Sequence, residues 1–245
     1  MRAQSRLLLA GDSCIAMEFG NEISPELNRM VRRMFFLVKQ ADIPGVLELV
    51  PTYRSLYIYY DPLRIRLEDL KRKLRELERK ADEVELPPQR VVEIPTVYGG
   101  EYGPDLDFVA KYNNLTPEEV VEIHTSTDYL VYMIGFTPGF AYLGGMSKRI
   151  AAPRLETPRV KVPAGSVGIA GEQTGIYPIE SPGGWRIIGR TPVKIFDPTR
   201  DPPVILQPTS DYVRFVRISE EEFHRIKRLV ESGEYEVSIR PLREG

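Results

Sequence analysis

Cysteine, histidine and the side-chain amides are scarce in this chain of 245 residues, and each scarcity closes off a class of chemistry. A single cysteine, Cys14, rules out an intrachain disulfide and a thiolate zinc site. It stands in the apolar run CIAMEF with no His, Lys or Arg beside it, the setting of a small packed hydrophobe, not of an activated thiolate. The two histidines, His124 and His224, have no second histidine at ligand spacing, so no metal site is expected. Asn and Gln number 4 and 5 against 33 Lys+Arg and 35 Asp+Glu, a bias that resembles proteins from hot environments.

A net charge of −2 with no basic block leaves nucleic acid without an electrostatic footprint. No apolar run approaches the roughly 20 residues of a membrane-spanning helix. The N-terminal MRAQSRLLLAGDS breaks at Gly11-Asp12, too early for a secretory apolar region, so a cytoplasmic protein is expected. The phosphate loop G-x-x-x-x-G-K-[ST] and the nucleophile elbow G-x-S-x-G are both missing.

What is present divides the chain in two. Strand-like runs at 6–10 and 13–19 precede Ser24-Pro25, an N-cap followed by proline at the first helical position. Leu27, Met30, Val31, Met34, Phe35 and Val38 then form one apolar helical stripe, read as a core-facing surface. Two more strands at 45–50 and 55–60 and a helix on Leu67, Leu70, Leu74 and Leu77 complete a β-β-α-β-β-α unit. The charged run KRKLRELERK reads as that helix's solvated face.

Pro87-Pro88-Gln89 serves as the linker, giving an α+β N-terminal domain over residues 1–88 and a mostly-β barrel domain over 89–245. The second domain is expected to open with a strand at 90–94, followed by helices near 106–112 and from a capping box at Thr116–Glu119. Short strands from Tyr129 onward should close a barrel. A second capping box at Ser219–Glu222 starts a helix ending before Gly233, and a last strand is expected at 235–239.

Eleven of the 19 glycines fall between Gly135 and Gly189, together with six prolines. Such density reads either as the tight turns of a β-barrel or as backbone held close to a ligand or partner. The second reading makes candidates of the polar and aromatic residues interleaved with the glycines. These are Ser166, Gln173, Thr174, Tyr177, Ser181 and Trp185. With turn backbone on both sides, the side chains of Gln173 and Thr174 are expected to stay out of the core.

His124 precedes the strand entering this run and is either a general base at the pocket mouth or a satisfied helix-end histidine. His224 reads as inert on a polar helix face. Arg159, Lys161, Arg186 and Arg190 flank the polar cluster, where they either bind a small carboxylate or phosphoryl group or decorate a solvated rim. Glu172 and Glu180 bracket QTGIYP as a possible acid/base pair.

HTSTDYLVYMIGFTPGFAYLGG, TPRVKVPAGSVGIAGEQTGIYPIESPGGWRIIGRTP and PTYRSLYIYYDP resemble the signatures of the allophanate hydrolase subunit 1/KipI family, whose members include the B subunit of 5-oxoprolinase. The resemblance runs over nearly the whole chain and implies an α+β domain followed by a cyclophilin-like β-barrel. It implies two partners, a KipA-like C subunit and a LamB/YcsF-like A subunit of 5-oxoprolinase, which together with such a chain open 5-oxoproline to L-glutamate with ATP as co-substrate. The chain ends soon after its barrel, so these partners are expected as separate proteins. The ATP site is expected on one of the partners or at an interface.

In that setting His124, Gln173 and Thr174 take catalytic roles. Phe136, Pro138, Phe140, Ser166, Tyr177, Ser181, Trp185 and Arg190 hold the substrate, with Arg190 on its carboxylate. The same family suggests a second function, a non-catalytic inhibitor of a sensor histidine kinase, and an allophanate hydrolase-related role. Peptidyl-prolyl isomerase activity rests on fold analogy alone.

Overall fold

The computed structural model describes residues 4–208 and 211–242. It divides into two compact units, Met1–Pro87 and Pro88–Gly245.

In the first unit, strands β1 (Arg6–Leu9), β2 (Cys14–Glu18), β3 (Val46–Pro51) and β4 (Ser55–Tyr60) form an antiparallel sheet in the order β1-β2-β4-β3. Helix α1 (Pro25–Gln40) starts where the sequence signals it: the Ser24 hydroxyl accepts the Leu27 N–H, and Pro25 takes the first helical position. The buried stripe of α1 and Leu70 and Leu74 of α2 (Leu67–Glu78) pack with Ile15, Met17, Leu56 and Ile58 into one core. Asn28 is buried on α1, where its amide donates to the Thr52 and Tyr53 carbonyls and ties the helix to the turn before β4. Cys14 is buried, and burial raises its thiol pKa, consistent with a packing role.

The second unit is a nearly closed barrel with helices around it. Its elements are β5 (Arg90–Tyr98), α3 (Leu106–Tyr112), α4 (Pro117–Thr125), β6 (Tyr129–Ile134), β7 (Ala141–Gly144), β8 (Arg159–Val162) and β9 (Ser166–Ala170). They continue as β10 (Gln173–Ile176), β11 (Ser181–Gly183), β12 (Arg186–Arg190), β13 (Asp211–Arg217), α5 (Glu220–Ser232) and β14 (Ile239–Pro241). The main sheet runs β10-β9-β12-β5-β13-β6-β7, with β14 also on β5, and its two ends, β7 and β10, lie side by side. Val92, Ile94, Val131, Val167, Ile169, Val213 and Phe215 fill the interior. A separate two-stranded ribbon, β8 with β11, lies apart from this sheet. A mixed α+β unit followed by a barrel unit is the fold class the sequence pointed to.

Local signals hold with two exceptions. Thr116 and Glu119 form the reciprocal capping box, whereas at α5 only the Ser219 half forms, because Glu222 turns to Arg225 instead. The last strand begins at Ile239, not Tyr235. The N–H of Tyr235 is engaged with the Leu229 carbonyl at the end of α5, and Tyr235 and Val237 pack on the barrel core, so pairing with β5 starts later.

Candidate functional site

Adjacent residues on β10 meet opposite environments, because successive side chains of a strand point to opposite faces. Thr174 faces the barrel interior and is fully buried, while Gln173 faces outward into a cleft of about 210 Å³. The expectation that both side chains avoid the core is therefore corrected for Thr174: β10 is a paired strand against β9, and its pleat turns this hydroxyl inward.

Inside, Thr174 is part of a closed polar circuit. Its hydroxyl donates to the Gly168 carbonyl at 3.0 Å, so its oxygen is left to accept the Nε2–H of His124 at 2.8 Å. Nδ1 of His124 is then the acceptor for the Tyr98 hydroxyl at 2.8 Å, and the Tyr129 hydroxyl donates to the His124 carbonyl. The imidazole lies among the rings of Phe215, Tyr129 and Tyr98. Burial alone pushes its pKa down to about 3, and burial likewise raises the Tyr98 phenol well above its usual value. His124 is thus a satisfied core histidine at the end of α4. The mouth-of-pocket alternative is corrected, since neither ring nitrogen reaches the cleft.

Outside, the cleft is walled by aromatic rings. Phe140 stands edge-on to Trp185 at 5.6 Å, to Tyr142 at 5.3 Å and to Tyr177 at 6.0 Å. Phe136 joins at 5.9 Å from Phe140, and Gln173 and Arg154 add polar groups to the lining. Burial raises the Tyr177 phenol pKa against the lowering effects of a hydrogen bond with the Trp185 backbone and of the Arg154 and Arg159 charges, which keeps it a hydroxyl. Gly183 is required beside it: a Cβ there would lie 2.2 Å from the Tyr177 hydroxyl oxygen.

Phe136 is doubly anomalous. Its backbone sits at φ +64°, a region that bulky residues avoid, and its ring is 77% exposed. The turn imposes this: Gly135 N–H bonds the Phe140 carbonyl and Phe140 N–H bonds Thr137, closing GFTPGF on itself. A strained backbone that holds an apolar ring in solvent beside a cleft makes Phe136 a candidate functional position.

Of the other expected site residues, Pro138 is exposed on the turn and Ser181 begins β11, and neither lines the cleft. Ser166 is fully buried. Arg190 lines a different cleft, with Tyr102, His224 and Lys227. Arg159 and Arg186 are taken up structurally. Arg159 pairs with Asp105, whose other oxygen accepts the Ile187 N–H, and Arg186 stacks over Phe108 at 3.6 Å. Glu172 and Glu180 form exposed ion pairs with Lys148 and Lys161 and do not converge on a common site.

Tyr142, Arg154 and Pro182 are lining residues that the sequence did not single out. Tyr142 was findable as an aromatic residue two positions beyond Phe140, on β7 just after the GFTPGF turn. Arg154 lies in an irregular segment whose local sequence carries no signal. Among the described residues no group of three or more His, Cys, Asp or Glu gathers, and no helix is long and apolar enough to cross a membrane.

Residues 5–206 match the carboxyltransferase domain, subdomain C and D. The chain is 48% identical over 227 residues to the B subunit of 5-oxoprolinase from Bacillus subtilis (strain 168), covering 89% of this chain and 94% of that protein. The crystal structure of TTHA0988 superposes with a TM-score of 0.74 at 40% identity, covering 84% of this chain and 40% of that one, so this chain spans about two fifths of the solved protein. The Kluyveromyces lactis urea amidolyase superposes with a TM-score of 0.75 at 23% identity over 96% of this chain and 16% of its own, a likeness of fold. The chain belongs to the carboxyltransferase subdomain C and D family, in the branch that contains the B subunits of 5-oxoprolinase.

Proposed function

We propose that this chain is the B subunit of an ATP-dependent 5-oxoprolinase that opens 5-oxoproline to L-glutamate together with the KipA-like and LamB/YcsF-like partners, and that the aromatic cleft is its contribution to substrate handling. The observation that carries the reading is Phe136, an exposed ring on strained backbone at the edge of that cleft. A volume of about 210 Å³ suits a small molecule, since drug-sized ligands take pockets of about 300–1,000 Å³.

The chemistry needs activation, because a lactam carbonyl is a poor electrophile. Phosphorylation of its oxygen by ATP makes the ring carbon attackable by water, and the charge gathering on oxygen needs fixed donors. Gln173 offers an amide complementary to a lactam, Tyr177 a hydroxyl, Arg154 a cation for the carboxylate, and the rings a surface for the five-membered ring. This replaces Arg190 with Arg154 as the carboxylate partner and leaves His124 and Thr174 as supports of the strand that carries Gln173. With no phosphate loop in the sequence, the ATP site is assigned to the partners or to an interface with them.

The test is ATP-dependent glutamate release by the chain alone and after reconstitution with its partners. The expected result is activity only in the complex, reduced roughly a hundredfold by Gln173→Ala, as for loss of one oxyanion donor. Full turnover of a complex carrying both Gln173→Ala and Arg154→Ala overturns the site, and glutamate release by the isolated chain overturns the division of labour.

A further inference from the structure

The strand arginines of the barrel unit follow a rule with one exception. Arg90 pairs with Asp211, Arg159 and Arg186 with Asp105, Arg214 and Arg240 with Asp128, and Arg217 with Glu118. Arg190, on the central strand β12, has no carboxylate within ion-pairing distance among the described residues. Its Nε is buried with no hydrogen-bond partner, and Tyr102, 5.8 Å from its guanidinium, stands at the outer limit of a cation–π contact. A half-buried cation without a counter-charge is costly, and strand positions elsewhere in this unit avoid it.

A second orphan lies beside it. Ser166 is the direct register partner of Arg190 across β9 and β12, so the two side chains leave the sheet on the same face. The Ser166 hydroxyl is also buried and unpartnered. Ser166 is fully buried and does not itself line the groove, so the ligand-facing group of the pair is Arg190. Arg190 floors a groove of about 370 Å³ where α5 passes the barrel wall, and Lys227 and His224 of α5 line the same groove. Lys227 is exposed and, among the described residues, makes a 3.9 Å contact with Glu231 as its one ion pair. Glu101 lines the groove, and Glu220 stands at its edge, accepting from the Tyr102 hydroxyl at 3.2 Å and 3.7 Å from His224 Nε2. Close approach of the chain is built in: at Gly165, φ +80°, a Cβ would lie 2.2 Å from the Thr191 carbonyl oxygen.

We propose that the groove between α5 and β12 is a binding site for an oxyanion, the phosphate or carboxylate group of a small molecule, held by the Arg190 fork and Lys227. It is separate from the aromatic cleft and does not rest on the 5-oxoprolinase reading.

The full chain reports on this directly, because it has two histidines and only His224 lies in the groove. Its ring signals are followed by NMR during titration with inorganic phosphate and, separately, acetate, each exchanged for chloride at constant ionic strength. Saturable shifts of His224 are expected. Arg190→Lys, which keeps the charge and the buried stem but loses the fork, should weaken binding about tenfold or more, and Lys227→Met about threefold. Gln173→Ala should leave it unchanged. Tighter phosphate binding identifies a phosphoryl ligand, and acetate binding at least as tight identifies a carboxylate. The absence of saturation with either anion, or saturation that both groove variants leave untouched, overturns the site. Lys227 is exposed, so its variant stays folded and interpretable whatever Arg190→Lys does to stability.

Discussion

The interior of the barrel at His124 and its outer face at Phe136 treat costly groups in opposite ways. Inside, His124, Tyr129 and Thr174 are fully buried and Tyr98 is partly buried, yet each ring nitrogen and hydroxyl of the circuit has a partner, so burial yields rigidity. Outside, a phenylalanine is held at positive φ with most of its ring in water, kept there by the hydrogen bonds of its turn and a single edge contact with Phe140. The contrast separates polar residues that hold the fold from apolar residues kept available for something else. It also runs through neighbouring positions, since Thr174 and Gln173 belong to the two sides.

The sharpest way to test the interior half is pH. The folded-state pKa of His124 is depressed to about 3 from an ordinary 6.5, so the unfolded chain binds the extra proton. Its stabilising effect is complete above about pH 6.5 and is lost as pH falls toward 3, on the order of 4–5 kcal/mol in all and about 2 kcal/mol by pH 5. Denaturant unfolding at pH 7 and pH 5 should show that decline in the wild-type chain and a shallower one in His124→Gln. Truncation to His124→Ala, which empties an aromatic-lined site, should lower stability at pH 7 by about 3–5 kcal/mol. Equal slopes in wild type and His124→Gln would mean that the imidazole is not buried neutral.

Next in size is the pair on β10. Thr174→Val keeps the shape but strands the His124 Nε2–H and the Gly168 carbonyl, so a loss of about 1–3 kcal/mol is expected, with turnover per folded molecule unchanged. Gln173→Ala should change stability by no more than about 0.5 kcal/mol while abolishing most complex activity. Melting curves and steady-state turnover of the two reconstituted variants decide it. If Thr174→Val loses turnover at full stability, the division between the two faces is wrong.

Much of this contrast was legible in the sequence only as a mixture. The family resemblance drew attention to Phe136 and Phe140, and the glycine-rich run to Gln173, Tyr177 and Trp185, all of which line the cleft. The run drew equal attention to Thr174 and Ser166, because the strand pairing that turns Thr174 into the barrel and buries Ser166 on the other face, across from Arg190, is not carried by the local sequence. Helix caps at Ser24 and Thr116 were readable because they are local, carried by three or four residues. Arg154 and the isolation of Arg190 are not local at all: the first depends on an irregular segment folding back to β10, the second on the absence of a partner that no linear reading can register.

The smallest expected effect on stability is the most discriminating. Phe136→Gly removes a Cβ from backbone at φ +64°, relieving about 1–2 kcal/mol of left-handed strain. It forfeits the edge contact with Phe140 and adds about 0.4–1 kcal/mol of unfolded-state entropy. The balance is a chain about as stable as the wild type or up to about 1 kcal/mol more stable. Phe136→Val places a β-branched residue in the same conformation and should be less stable than either. If the ring is retained for function, both variants lose it: the complex should show a raised KM or weakened assembly, and Phe136→Gly should do so while melting no lower than wild type. Differential scanning calorimetry and turnover of the same samples read both quantities. A glycine variant that is more stable and turns over normally would make Phe136 an accident of the turn and take the cleft's strongest mark away.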